Sequence, residues 1–258
     1  MPNTESLERS FIFFPEKELW ASPSDGGMEY QDVYLHSPDG VTIHGWFIPG
    51  RGKAVMLFLH GNGGNISHRI EKIRLICGPE VSSLMIDYNG YGWSHGEPSE
   101  EACYLNALAS REYLVQERHV DPKQIVLFGE SLGGAVAIDL ATRKEVGAII
   151  LESTFTNIGA VIERFVPGIE AHLRGKFDSL SKISNVQSPL LMLHGDEDEL
   201  VPYELGQQLF KAANEPKEFI TITGAHHNDT YDVGGKAYFQ AIHQFINHVI
   251  ESREFGHR

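Results

Sequence analysis

Apolar residues along the chain follow two patterns that alternate repeatedly. Residues 30–35 and 41–48 alternate apolar and polar side chains, the period of a strand with one covered face. Between them Ser37-Pro38-Asp39-Gly40 supplies the proline and glycine of a turn, so the pair is predicted to be an antiparallel hairpin. Short, near-continuous apolar runs follow at 54–59, 81–87, 124–128, 146–151, 189–193 and 218–223. Runs of this kind are expected of parallel strands covered on both faces. Helical spacing fills the intervals. It is clearest over 99–118, where Leu105, Leu108, Ala109 and Tyr113 share a stripe and Ser99 is placed to cap the amino end, and over 235–251, where Tyr238, Ile242, Phe245, Ile246 and Val249 recur in step. Strand and helix in turn predict an α/β fold: a mainly parallel central sheet, opened by an antiparallel hairpin, with helices on both faces.

Two stretches interrupt this order. The connection over 152–188 is longer than a plain crossover needs, and within it Ile158, Ile162, Phe165, Val166, Ile169 and Leu173 keep helical spacing, broken at Pro167-Gly168. A small lid or cap over 153–188 is one expectation; a crossover helix packed on the sheet is the other. Residues 1–29 are mixed, with aromatics at Phe11, Phe13, Phe14 and Trp20, and are expected to pack on the flank of a domain spanning 30–258.

With 258 residues, 41% of them hydrophobic, the chain can bury a large core as one domain. A formal charge of −14 would repel a nucleic-acid backbone or an anionic membrane surface, which argues against both as partners. Cys77 and Cys103 lack metal-ligand spacing and lie in helical segments, so two buried thiols in a reducing compartment are expected. The apolar run Phe11-Ile12-Phe13-Phe14 stops at Pro15 and is preceded by Glu5, Glu8 and Arg9, unlike a signal peptide or a membrane span. A cytoplasmic protein with no integral membrane segment is expected.

The candidate chemistry centres on Gly129-Glu130-Ser131-Leu132-Gly133-Gly134, set between the apolar run at 124–128 and the helical pattern from Ala135. A G-x-S-x-G between strand and helix is a nucleophile elbow, a turn so tight that a side chain at Gly129 or Gly133 would clash. A serine hydroxyl needs a base in hydrogen-bond reach and a third group to orient that base. Along such a chain they come in the order nucleophile, acid, base, each after a strand. After the run at 189–193, His194-Gly195-Asp196-Glu197-Asp198 offers two acids, and Asp198 has the longer loop with which to curl back; Asp196 stays open. After the run at 218–223, His226 and His227 are adjacent and only one can face Ser131, His227 being preferred. For a developing oxyanion, the amide of Leu132 at the helix amino end and that of Asn62 in the glycine-rich loop His60-Gly61-Asn62-Gly63-Gly64-Asn65 are the candidate donors. That loop lacks the lysine of a phosphate-binding loop, so a nucleotide site is not expected.

These residues resemble the α/β-hydrolase superfamily, and within it serine hydrolases of the abhydrolase-domain type, which carry HGNxGN after one strand and DYxGYGxSxGxPSE after the next. Here they read His60 to Asn65 and Asp87-Tyr88-Asn89-Gly90-Tyr91-Gly92-Trp93-Ser94-His95-Gly96-Glu97-Pro98-Ser99-Glu100. The group's acid lies in HGxxDxxVP, matched from His194 to Pro202, and its histidine just before Asn-Asp, matched by His227-Asn228-Asp229. The resemblance therefore singles out Asp198 and His227. It implies an α/β-hydrolase fold and a serine hydrolase of carboxylic esters or thioesters, with Ser131, Asp198 and His227 catalytic and Asn62 and Leu132 in the oxyanion hole. No metal or organic cofactor is implied, and the lid suggests a small-molecule substrate with an apolar acyl group. Peptidase or amidase activity on the same residues, or a non-catalytic ligand-binding member, are the alternatives. Some eukaryotic relatives carry a membrane anchor or a palmitoylated cysteine tract and deacylate protein cysteines. Neither feature is visible here, so that role does not carry over.

Overall fold

The apolar runs become strands because every second side chain finds a core on each side of the sheet. The computed structural model describes residues 10–252; Glu5, Glu8 and Arg9, weighed above against a signal peptide, lie outside them. The strands are β1 (Gln31–His36), β2 (Thr42–Ile48), β3 (Val55–Leu59), β4 (Ser82–Ile86), β5 (Ile125–Glu130), β6 (Ala148–Glu152), β7 (Leu190–Gly195) and β8 (Lys217–Ile222). Among the described residues these eight form the central sheet in the order β8-β7-β6-β5-β3-β4-β2-β1. β2 alone runs against the direction of the other seven strands, and the turn joining it to β1 is closed by the Gly40 amide on the Ser37 carbonyl at 2.8 Å.

The helices are α1 (Ile70–Cys77), α2 (Glu100–Gln116), α3 (Leu132–Arg143), α4 (Ile158–Ile162), α5 (Ser179–Ile183), α6 (Tyr203–Ala212) and α7 (Thr230–Ser252). Alternate residues of the central strands divide between two cores. Leu57, Leu127, Ile149 and Met192 pack with α2, α3, α5 and α6, whereas Met56, Phe58, Val126, Phe128 and Leu191 pack with α1 and α7. At about 25 cal/mol per Å2 of apolar surface, such doubly covered strands supply most of the driving force for folding. Helix α7 bends at Gly235, whose φ of 50° and ψ of −137° are not helical, and its Tyr238, Ile242, Ile246 and Val249 are buried.

Helix α2 buries a different face from the one its leucines suggest. Cys103, Asn106, Ala107, Ser110 and Leu114 are buried, while Leu105, Leu108, Ala109 and Tyr113 are half-buried. Small residues let the helix approach the sheet closely. Asn106 is tolerated in the core because its amide donates to Ser37 Oγ at 3.1 Å and to Asn89 Oδ1 at 2.9 Å while its oxygen accepts the Asn89 N–H at 2.9 Å. Ser99 caps the helix by accepting the Ala102 N–H at 3.1 Å.

Between β6 and β7 the helical spacing yields only the short helices α4 and α5, joined by turns, with Gly168 and Gly175 at φ of 87° and 77°. Ile158, Ile162, Ile169, Leu173 and Phe177 nevertheless join the larger core, and Phe165 is exposed. In the amino-terminal segment Ile12 and Phe13 enter the same core, whereas Phe14 and Trp20 are exposed. Phe14–Pro15 pairs in parallel with Gly63–Gly64. Cys77 and Cys103 are free and buried. Among the described residues no helix is long and apolar enough to cross a membrane.

Candidate active site

Because β3, β5, β6 and β7 run in parallel and in register, Leu59 opposite Gly129 and Glu130 opposite Glu152, the loops at their carboxyl ends meet over one edge of the sheet. Ser131 stands at the turn from β5 into α3 with φ 53° and ψ −113°, a conformation costly for a residue with a side chain. The close approach of its neighbours enforces it: a Cβ on Gly129 would lie 2.5 Å from the Gly133 carbonyl oxygen, and one on Gly134 would lie 2.6 Å from Thr154 Cβ. The Ser131 N–H donates to the Glu152 carbonyl at 2.8 Å, and its carbonyl accepts the Thr154 hydroxyl at 2.9 Å. The turn is thus held from β6.

Ser131 Oγ lies 3.1 Å from His227 Nε2, and His227 Nδ1 lies 2.8 Å from Asp198 Oδ2. Since a carboxylate can only accept, Nδ1 carries the imidazole proton and Nε2 presents a lone pair to the serine hydroxyl. Burial alone would raise the Asp198 carboxyl, but hydrogen bonds from His194 and His227 and the Val201 N–H, 2.7 Å away, hold it well below the usual carboxylate range. Chemically, such an arrangement allows the imidazole to take the hydroxyl proton and the carboxylate to stabilise the resulting imidazolium.

The rival candidates occupy bracing positions. Asp196 Oδ1 accepts the Gly224 N–H at 2.6 Å, and His226 places Nδ1 2.9 Å from the Glu197 carbonyl, so both tie the loop after β7 to the loop after β8. His194 is buried, with Nε2 donating to the Val201 carbonyl at 3.0 Å. His243 donates to the Ile76 carbonyl at 2.6 Å, fastening α7 to α1.

The loop after β3 runs beside the serine: a Cβ on Gly61 would lie 3.5 Å from Ser131 Cβ. Three successive carbonyls of this loop are gripped. Tyr88 donates to the His60 carbonyl at 3.1 Å, His60 Nδ1 to the Gly61 carbonyl at 2.6 Å, and Tyr91 to the Asn62 carbonyl at 2.7 Å, which also accepts the Phe14 N–H at 3.0 Å. The Asn62 side chain turns away to the Ile12 carbonyl at 3.1 Å. Leu132 opens α3, so its amide belongs to the unpaired amino end of that helix.

Under the loop His60 Nε2 and Asp87 Oδ1 approach to 3.5 Å, both side chains fully buried. Burial pushes Asp87 up to about 7 and His60 down to about 3, so between those values this is contact between neutral groups and not an ion pair, and at neutrality the imidazole is neutral while the carboxyl is about half ionised. Reading the chain alone missed a second cluster beside the serine, buried at Lys72 and Glu152 and half-buried at Glu130 and Arg69. Lys72 Nζ bridges Glu130 Oε2 at 3.0 Å and Glu152 Oε1 at 2.8 Å, and Arg69 reaches Glu130 at 3.1 Å. Burial opposes the charge on Lys72 and Glu130, yet their partners outweigh it, raising the ammonium and lowering the carboxyl. Its one signal in the chain is a charged residue inside the elbow. Among the described residues no group of three or more His, Cys, Asp or Glu side chains could hold a metal ion.

A model of the prolyl oligopeptidase family matches residues 97–253. The chain is 36% identical over 248 residues to an uncharacterized protein of Mycobacterium tuberculosis, covering 93% of this chain and 88% of that one. It is 33% identical over 270 residues to the alpha/beta hydrolase domain-containing protein WAV2 of Arabidopsis thaliana, with the same coverage, 93% and 88%. Among solved structures, the Pyrococcus furiosus esterase Pf2001 superposes with a TM-score of 0.79, at 22% identity, over 93% of this chain and 98% of that one.

Proposed function

The chain belongs to the prolyl oligopeptidase family of the α/β-hydrolase superfamily, and from that premise we propose that it is a serine hydrolase that cleaves carboxylic esters or thioesters through an acyl-enzyme. The observation that carries this reading is the line of contacts from Ser131 Oγ through His227 to Asp198, at 3.1 and 2.8 Å. Ser131 Oγ adds to the substrate carbonyl as His227 Nε2 takes its proton. The amides of Leu132 and Asn62 donate to the oxyanion, a contribution of roughly 3–4 kcal/mol per donor in such sites. Collapse of the adduct expels the alcohol or thiol, which leaves with the proton held by His227. Water, deprotonated by the same nitrogen, then attacks the acyl-enzyme; the acid departs and Ser131 regains its hydrogen.

The substrate we propose is a small molecule with an apolar acyl group, received under the 153–188 segment acting as a cap. Two free, buried thiols, Cys77 and Cys103, support a reducing compartment and hence the cytoplasm. Membership of a family named for oligopeptidases favours a second reading, amide cleavage by the same side chains. Paired p-nitrophenyl ester and p-nitroanilide substrates with the same acyl group separate the two, and the first reading expects turnover of the ester well above that of the anilide. Hydrolysis of p-nitrophenyl butyrate by wild type, reduced at least about a thousandfold in Ser131→Ala, is the expected result for a serine hydrolase. Equal rates in the two proteins would refute it.

A further inference from the structure

Ser131 and His227 reside on separate loops, and an error of about 1 Å in such a contact can cost on the order of a hundredfold in rate. One residue is bonded to the supports of both. The backbone carbonyl of Glu152 accepts the Ser131 N–H at 2.8 Å, and its side-chain carboxylate accepts the hydroxyls of Thr230, at 2.5 Å, and of Tyr238. Thr230 opens α7, the helix that follows directly on the His227 loop. The third bond to that carboxylate comes from Lys72 at 2.8 Å, and Lys72 is also held by Glu130, the residue before Ser131.

Glu152, Thr230, Lys72 and Tyr238 are all buried. With Arg69 on Glu130 the group contains two carboxylates and two cations, so its charges balance. A buried, balanced network of this kind fixes geometry well but contributes little net stability, since the desolvation of each charge offsets most of the attraction. If stability alone were at stake, apolar side chains would serve as well at these positions. The network also spans the distance that catalysis depends on.

We propose that Glu152 is a positioning residue that sets the base against the nucleophile: its backbone carries Ser131, and its carboxylate, acting through Thr230, carries the loop of His227, while Lys72 locks the carboxylate to the elbow. The proposal rests on the serine-hydrolase reading. It places a required anion outside the three side chains in line, at a residue that touches neither substrate nor the reacting atoms.

The test uses Thr230→Val, which removes one hydroxyl and keeps the shape of the side chain, with Thr230→Ser as the conservative partner and Glu152→Gln as the more severe change. Turnover of p-nitrophenyl butyrate is measured per active site, with sites counted by end-point labelling with a fluorophosphonate, so that unfolded protein does not enter the rate. For Thr230→Val we expect kcat to fall about tenfold or more with KM within about twofold, and for Thr230→Ser recovery to within about threefold of wild type. Glu152→Gln, where it folds, should lose more kcat than Thr230→Val. An unchanged kcat per labelled site in Thr230→Val, beside an active wild type, overturns the positioning role alone; so does a loss that Thr230→Ser fails to recover. A wild type that neither turns over esters nor labels removes the serine-hydrolase reading and the positioning role with it.

Discussion

Gly133 packs against Leu59 so closely that a Cβ on the glycine would overlap the leucine carbonyl oxygen and stand 2.6 Å from its carbonyl carbon. This contact joins the start of α3 to the end of β3, and with it the serine turn to the loop carrying Asn62. No flexible side chain is there to yield. Gly133→Ala is therefore expected to destabilise the protein by at least about 3 kcal/mol, at the upper end of overpacking effects. Urea unfolding measures it, and a midpoint matching wild type would show that the backbone can open at no cost.

The two acids after β7 should separate cleanly in kinetics. Asp198→Asn keeps the shape but lets the imidazole adopt the wrong tautomer, and kcat for a p-nitrophenyl ester should drop roughly 10^3- to 10^4-fold with KM little changed. Asp196→Asn weakens only a brace to Gly224, and should stay within about tenfold of wild type. His227→Gln and His226→Gln should divide in the same way. Comparable losses at Asp196 and Asp198 would contradict the roles assigned to them.

The contact of His60 with Asp87 beneath the loop after β3 gives a pH signature. An ordinary aspartate titrates near 3.8, whereas Asp87 is pushed up to about 7 by burial. Between those values the unfolded chain has released a proton that the folded chain retains, so wild type loses stability as pH rises through that window. His60, held down to about 3 against an ordinary 6.5, acts in the opposite direction, costing stability as pH falls from 6.5 towards 3. Asp87→Asn removes only the first effect. The variant should gain on wild type between pH 4 and pH 7, by on the order of 3 kcal/mol at most. Urea unfolding at pH 4.5 and 7.5 checks this, and a pH-independent difference would mean that Asp87 is ionised in the fold.

The segment between β6 and β7 contributes to the main core. Leu173 is fully buried there while Phe165 is exposed. Leu173→Ala should therefore cost about 2–5 kcal/mol, and Phe165→Ser no more than about 0.5 kcal/mol. If the segment were a lid that opens freely, Leu173→Ala would leave the unfolding midpoint unchanged.

How much of this was legible in the chain varies with the range of the interaction. The central strands announce themselves because both faces are covered, making the apolar run continuous. The elbow does so because Gly129 and Gly133 answer a local steric demand. The face of α2 was misjudged for lack of that locality: leucines at 105 and 108 mark a stripe, but Asn106 is buried on the adjoining one because Ser37 and Asn89 come to meet it. The spacing over 153–188 promised a longer helix than α4, and Gly168 and Gly175 turn the chain instead. Nothing in the chain marks Lys72, since its partners Glu130 and Glu152 become neighbours only when β5 pairs with β6.

The most direct measurement is the site of covalent attack. The protein is treated with a fluorophosphonate and digested, and the adduct is located by mass spectrometry. The account predicts a single adduct on Ser131, none in Ser131→Ala, and labelling slowed by at least about a hundredfold in His227→Gln. An adduct on another residue, or undiminished labelling of Ser131→Ala, would contradict it.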